Sequence, residues 1–90
     1  MLCEIRLHIT GLVQGVGFRL FLQDKAAALG IKGIVRNLAD GSVEVVAQGA
    51  KEDLRRLVSF ARLGPAYAQV EDVRETWQEP TVVYTGFRVR

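Results

Sequence analysis

Ninety residues, 49% of them hydrophobic and 24% charged, suffice for one compact domain over 1–90 that buries roughly 60–70% of its unfolded surface, and leave no room for a second. The formal charge of +2 and an isoelectric point near 9.0 lean toward anionic partners, but the charges are interspersed and composition alone makes no case for nucleic acid. The single cysteine, Cys3, excludes an internal disulfide and a cysteine metal cluster; with no secretory leader and no apolar stretch of membrane-spanning length, we expect a cytoplasmic chain without membrane contact.

In chain order, Cys3, Ile5, Leu7 and Ile9 alternate with Glu4, Arg6 and His8, which predicts a half-buried strand. Phe18, Phe21, Leu22, Ala26 and Leu29 then repeat at helical spacing, and Gly30 supplies a C-terminal cap. Ile31 to Asn37 and Val43 to Gln48 read as an antiparallel hairpin, joined through Leu38-Ala39-Asp40-Gly41-Ser42 with its Asp-Gly turn signal. Lys51 to Leu63 returns to helical spacing through Leu54, Leu57, Val58 and Ala61, with Glu52 and Asp53 near its start and Gly64-Pro65 as its stop. Ala68 to Trp77 is strand-like, but Val70 and Val73 are out of phase, the pattern of a bulge or a loosely patterned edge strand. After Glu79-Pro80 a last extended piece carries Val82, Tyr84, Phe87 and Val89. With right-handed crossovers this order gives an α+β, ferredoxin-like βαββαβ sandwich. Its antiparallel sheet has strand order 4-1-3-2, with two helices on one face and a short extra C-terminal strand.

Between the first strand and the first helix lies Gly11-Leu12-Val13-Gln14-Gly15-Val16-Gly17-Phe18-Arg19, three glycines ending in an arginine. Glycine admits backbone angles that turn successive N–H groups inward, and a helix starting near Phe18 adds free first-turn N–H groups and a positive dipole end. The segment therefore reads as an anion cradle, with phosphate-binding groups from Gln14, Gly15, Val16, Gly17, Phe18 and Arg19. Arg19 can give an oxyanion two parallel charged hydrogen bonds. The plainer alternative is an exposed arginine that snorkels or pairs with Asp24. Its first-turn position, where a cation opposes the helix dipole at a cost of about 0.3–1 kcal/mol, favours the anion. Asn37, at the end of the hairpin's first strand, is the second candidate. The plainer alternative is an asparagine whose side chain bonds backbone beside a turn, but Asp40-Gly41 already supplies the turn signal, which leaves the Asn37 amide less needed there and freer for a ligand or water.

Other chemistries lack residues. A Walker loop needs G-K-[ST] where this chain has Gly17-Phe18-Arg19, and Leu20 fills the third glycine's place in a dinucleotide fingerprint. His8 has no second histidine or cysteine to share a metal or a nucleophilic role. Trp77 and Tyr67 read as packing residues. RNA-binding sheets stack bases on exposed aromatics, whereas Ser42-Val43-Glu44-Val45-Val46-Ala47 has none and carries an acid.

The two motifs resemble the signatures of acylphosphatases. The first, an aliphatic residue ahead of G-x-V-Q-G-V-x-F-R, is matched from Ile9 to Arg19. The second, G-aromatic-V-x-N-x-x-x-G-x-V-x5-G, is matched from Gly33 through Asn37, Gly41 and Val43 to Gly49, with Ile34 in the aromatic place. Chain length and the Gly86-Phe87-Arg88-Val89 ending are similar too. The resemblance implies hydrolysis of the carboxyl–phosphate bond of a small acyl phosphate, with no metal, no cofactor and no covalent enzyme intermediate. It further implies that Arg19 binds the phosphate, that Asn37 orients the attacking water, and that inorganic phosphate or sulfate is a product-like ligand. Similar domains occur within larger proteins handling carbamoyl phosphate in hydrogenase maturation. A chain ending at Arg90 resembles the stand-alone form, which we expect to be a monomer.

Overall fold

The computed structural model describes residues 1–90. It contains β1 (Cys3–Leu12), α1 (Phe18–Leu29), β2 (Lys32–Asn37), β3 (Val43–Gly49), α2 (Lys51–Leu63), β4 (Gln69–Gln78) and β5 (Phe87–Val89). The sheet order is β4-β1-β3-β2-β5, with β1 antiparallel to both β3 and β4, and β2 antiparallel to β3. The expected 4-1-3-2 arrangement is thus present. One expectation is corrected: the sheet is mixed, because β5 joins β2 in parallel. The cause is topological. β4 ends beside the start of β1, the chain crosses beneath the sheet to the other edge, and its next strand must then run in the direction of β2.

Alternation works as an amphipathic code on β1, where Ile5, Leu7 and Ile9 are fully buried. They meet Val43, Val45 and Ala47 of β3, Val35 of β2, the α1 stripe of Phe18, Leu22 and Ala26, and the α2 stripe of Leu54, Leu57, Val58 and Ala61. Each large aliphatic or aromatic side chain in this layer contributes roughly 1.5–3 kcal/mol through burial. Cys3, at the strand's start, is a free thiol and only partly buried.

The phase break in β4 is a bulge: Thr10 faces Asp72 and Gly11 faces Val70, leaving Glu71 as an extra residue. β1 runs past Ile9 because Thr10, Gly11 and Leu12 all find partners on β4. No helix is long and apolar enough to cross a membrane.

This topology gathers separate stretches at one end of the sheet. β1 and β2 run the same way, as does β5, so Leu12, Asn37 and Val89 finish at the same edge where α1 begins.

Candidate active site

At that end the chain leaves β1 through Val13 to Gly17 and enters α1. Gly15 (φ 74°) and Gly17 (φ 78°) lie in the left-handed region, where a side chain costs roughly 1–2 kcal/mol. Both have open space around the Cβ position, so conformation rather than room calls for glycine there. With the loop turned this way, no amide from Gln14 to Gly17 donates to another main-chain group. Gly17 is the N-cap of α1 and can offer no side chain, and the first turn holds no acidic residue. The first turn of α2, by contrast, carries Glu52 and Asp53. The first helix therefore presents uncompensated donors and a positive dipole end.

These groups border a cavity of about 240 Å³. Gly15, Gly17, Arg19 and Asn37 give it polar walls, and Val13, Phe18, Leu20 and Val89 make its apolar sides. Arg19 is its only charged residue. The guanidinium does not pair with Asp24; its Nη1 donates to the main-chain oxygen of Arg90 at 2.7 Å. Its remaining N–H groups have no protein acceptor, so one bond fixes the fork and leaves the rest for a ligand.

Asn37 reaches the same cavity from the end of β2. Its Oδ1 is buried without a hydrogen-bond partner, alone among the buried side-chain polar atoms of the molecule. An acceptor left in that state costs roughly 1–3 kcal/mol unless something else donates to it.

Of the remaining candidates, Gly15, Gly17 and Phe18 line the cavity, while Gln14 and Val16 do not. The Gln14 side chain turns to the hairpin instead, its Nε2 donating to the carbonyls of Leu38 at 2.8 Å and Ser42 at 2.9 Å. Any contribution from Gln14 to an anion would be through its main-chain amide. His8 sits beneath the same hairpin, its Nε2 2.9 Å from Ser42 Oγ and 3.8 Å from Asp40 Oδ2. Asp40 accepts from both the hydroxyl and the amide of Ser42, and these bonds hold its carboxyl below the ordinary value. Trp77 and Tyr67 do not reach the cavity. Sequence reasoning missed the Arg90 carbonyl and the Leu20 and Val89 walls, which no local pattern signals.

A donor cradle, one charged fork and one unpaired acceptor around a small cavity suit a tetrahedral oxyanion approached by water. Comparison with known proteins gives the family and the fold. The family model described as acylphosphatase matches residues 5–89. An acylphosphatase of Caldanaerobacter subterraneus subsp. tengcongensis is 47% identical over 85 residues, covering 94% of each chain. The crystal structure of acylphosphatase from Bacillus subtilis superposes with a TM-score of 0.95 at 33% identity, covering 100% of this chain and 99% of that one. An acylphosphatase from Coxiella burnetii gives 0.92 at 36% identity, covering 99% and 93%. With both glycine motifs in place and the fold shared from end to end, the chain belongs to the acylphosphatase family and is a hydrolase.

Proposed function

We propose that the chain hydrolyses the carboxyl–phosphate bond of acyl phosphates, releasing a carboxylate and inorganic phosphate, by in-line attack of water on phosphorus. The phosphoryl oxygens sit among the amides from Gln14 to Arg19 and the Arg19 guanidinium, which stabilise the charge that spreads over them in the transition state. Asn37 holds the attacking water. The observation that carries this reading is the unpaired, buried Oδ1 of Asn37 bordering the same cavity as Arg19 and the loop glycines. It is an acceptor suited to a water hydrogen.

Neither motif contains a cysteine, histidine or carboxylate positioned in the cavity to act as nucleophile or strong base. The reaction asks for neither. The leaving carboxylate, whose acid has a pKa of roughly 4, departs without a proton, and the substrate's own phosphate takes the proton from water. For the same reason no metal or cofactor is required. An ordinary phosphate ester, with its far more basic alkoxide leaving group, is a poor substrate. All the named groups come from one chain, so a monomer is a complete catalyst.

The test is steady-state hydrolysis of benzoyl phosphate beside p-nitrophenyl phosphate, with chelator present, followed by single turnover in ¹⁸O-labelled water. We expect hydrolysis of the anhydride only, unchanged by chelator, with label in the inorganic phosphate. Label in benzoate would place the attack at the carbonyl carbon and overturn the mechanism.

A further inference from the structure

We infer that Gln14 is a positioning residue, whose side chain couples the phosphate loop to the hairpin and thereby sets where Asn37 stands over the bound phosphoryl group. The inference rests on the reading of Asn37 as the residue that holds water.

Asn37 has no side-chain hydrogen bond of its own: its Oδ1 lacks a partner, and its amide nitrogen donates to no group in the protein. Its place is therefore set by its backbone. Two backbone features define that place, the pairing of Asn37 with Val43 across the hairpin and the turn from Leu38 to Ser42 that closes it. Gln14 grips both sides of that turn. Its one nitrogen spends both hydrogens, on the carbonyl of Leu38, next in chain to Asn37, and on the carbonyl of Ser42, next to Val43.

The turn does not need these bonds to close. Leu38 N–H already donates to Ser42 O at 2.8 Å, and Gly41 N–H to Leu38 O at 3.2 Å. Gln14 takes the second lone pair of each carbonyl. It thus adds nothing the hairpin lacks locally, and instead ties the hairpin to a loop 24 and 28 residues away in sequence. Gly15, the next residue, lines the cavity. The amides that hold phosphorus and the amide that holds water are fixed relative to each other through this one side chain.

A loop-to-hairpin strap of this kind predicts a particular kinetic signature, because near-attack geometry is lost while the phosphate cradle survives. Gln14→Met keeps the length of the side chain and removes both donors. We expect its kcat to fall about 10- to 100-fold, with the inhibition constant of inorganic phosphate unchanged within about twofold. Gln14→Lys, which again offers donors at the right reach, should recover most of the lost turnover. In an Asn37→Ala background, Gln14→Met should lower kcat by no more than about twofold, since the group it positions is gone. A full second drop in that background, or normal kcat in folded Gln14→Met, would overturn the coupling while leaving the role of Asn37 intact. Normal turnover by Asn37→Ala would overturn the water-holding role, and the coupling with it. Should Gln14→Met not fold, Gln14→Asn, one methylene too short to bridge both carbonyls, takes its place in the same cycle.

Discussion

The two ends of the sheet carry openings of unequal size and opposite character. Where β1 begins, Leu2, Cys3, Trp77 and Pro80 help line a crevice of about 690 Å³; where β1 ends, the cavity beside Arg19 measures about 240 Å³. Beside the larger opening the buried polar side chains are paired. Buried Glu4 accepts from Gln48 Nε2 at 2.7 Å and from Gln78, and Gln48 also bonds the 79–86 crossing through the Val82 carbonyl and the Tyr84 amide. Trp77 donates to Glu75 at 3.3 Å, and Lys51 and Arg55 stand over its ring. In the smaller opening a run of amides, most of a guanidinium and a buried amide oxygen are left without protein partners. Chemistry belongs where polar groups stay open, and stability where they close on one another.

That contrast can be broken most forcefully at Arg19. Arg19→Ala should lower kcat/KM about 1,000-fold and abolish inorganic phosphate binding by calorimetry, with the fold unchanged by circular dichroism. Asn37→Ala should lower kcat about 100-fold while phosphate still binds, a split that separates water placement from anion capture. At the other end the effects should reverse in kind. Gln48→Ala leaves the Glu4 carboxylate and the Val82 carbonyl short of a donor, so denaturant titration should show a loss of roughly 1–3 kcal/mol with kcat intact. A large loss of kcat in Gln48→Ala would erase the distinction between the two ends.

Two smaller effects sharpen the comparison. Gly17→Ala forces a side chain into the left-handed region, and we expect roughly 1–2 kcal/mol of destabilisation together with weaker phosphate affinity, read by calorimetry and thermal unfolding. The smallest effect concerns Asp40. Its carboxyl titrates lower in the folded chain than its free value of 3.8, so its ionised form favours folding. That contribution is complete above the unfolded value and is lost as pH falls through the lower, folded one. Asp40→Asn should therefore be less stable than the parent at about pH 6, and the difference should vanish at about pH 2.

Much of this was legible because it rests on short-range periodicity. The alternation of Ile5, Leu7 and Ile9, the stripes of both helices and the Asp40-Gly41 turn each report a face or a reversal within a few residues. The phase slip between Val70 and Val73 even foretold the bulge at Glu71. Arg19 and Asn37 stood out because one opposes a helix dipole and the other is spare to its turn.

What stayed hidden depends on contacts across the chain. Glu4 reads as an outward strand residue, yet it is 2% exposed because the 79–86 crossing closes over Gln48 beside it. The parallel docking of β5, and with it the Arg90 carbonyl that anchors Arg19, follows from the path of that same crossing. The Gln14 side chain has no local partner to betray its destination. These are tertiary facts, and no window of neighbouring residues contains them.

The hydrogen bond from Arg19 to Arg90 joins residues 71 positions apart. The guanidinium is thus held beside β5, which follows all six other elements in chain order, and a chain that has formed its first hairpin and both helices still lacks a steadied anion hook. Recovered turnover after dilution from denaturant is consequently a clock for the docking of β5, and it should trail any helical signal that rises earlier.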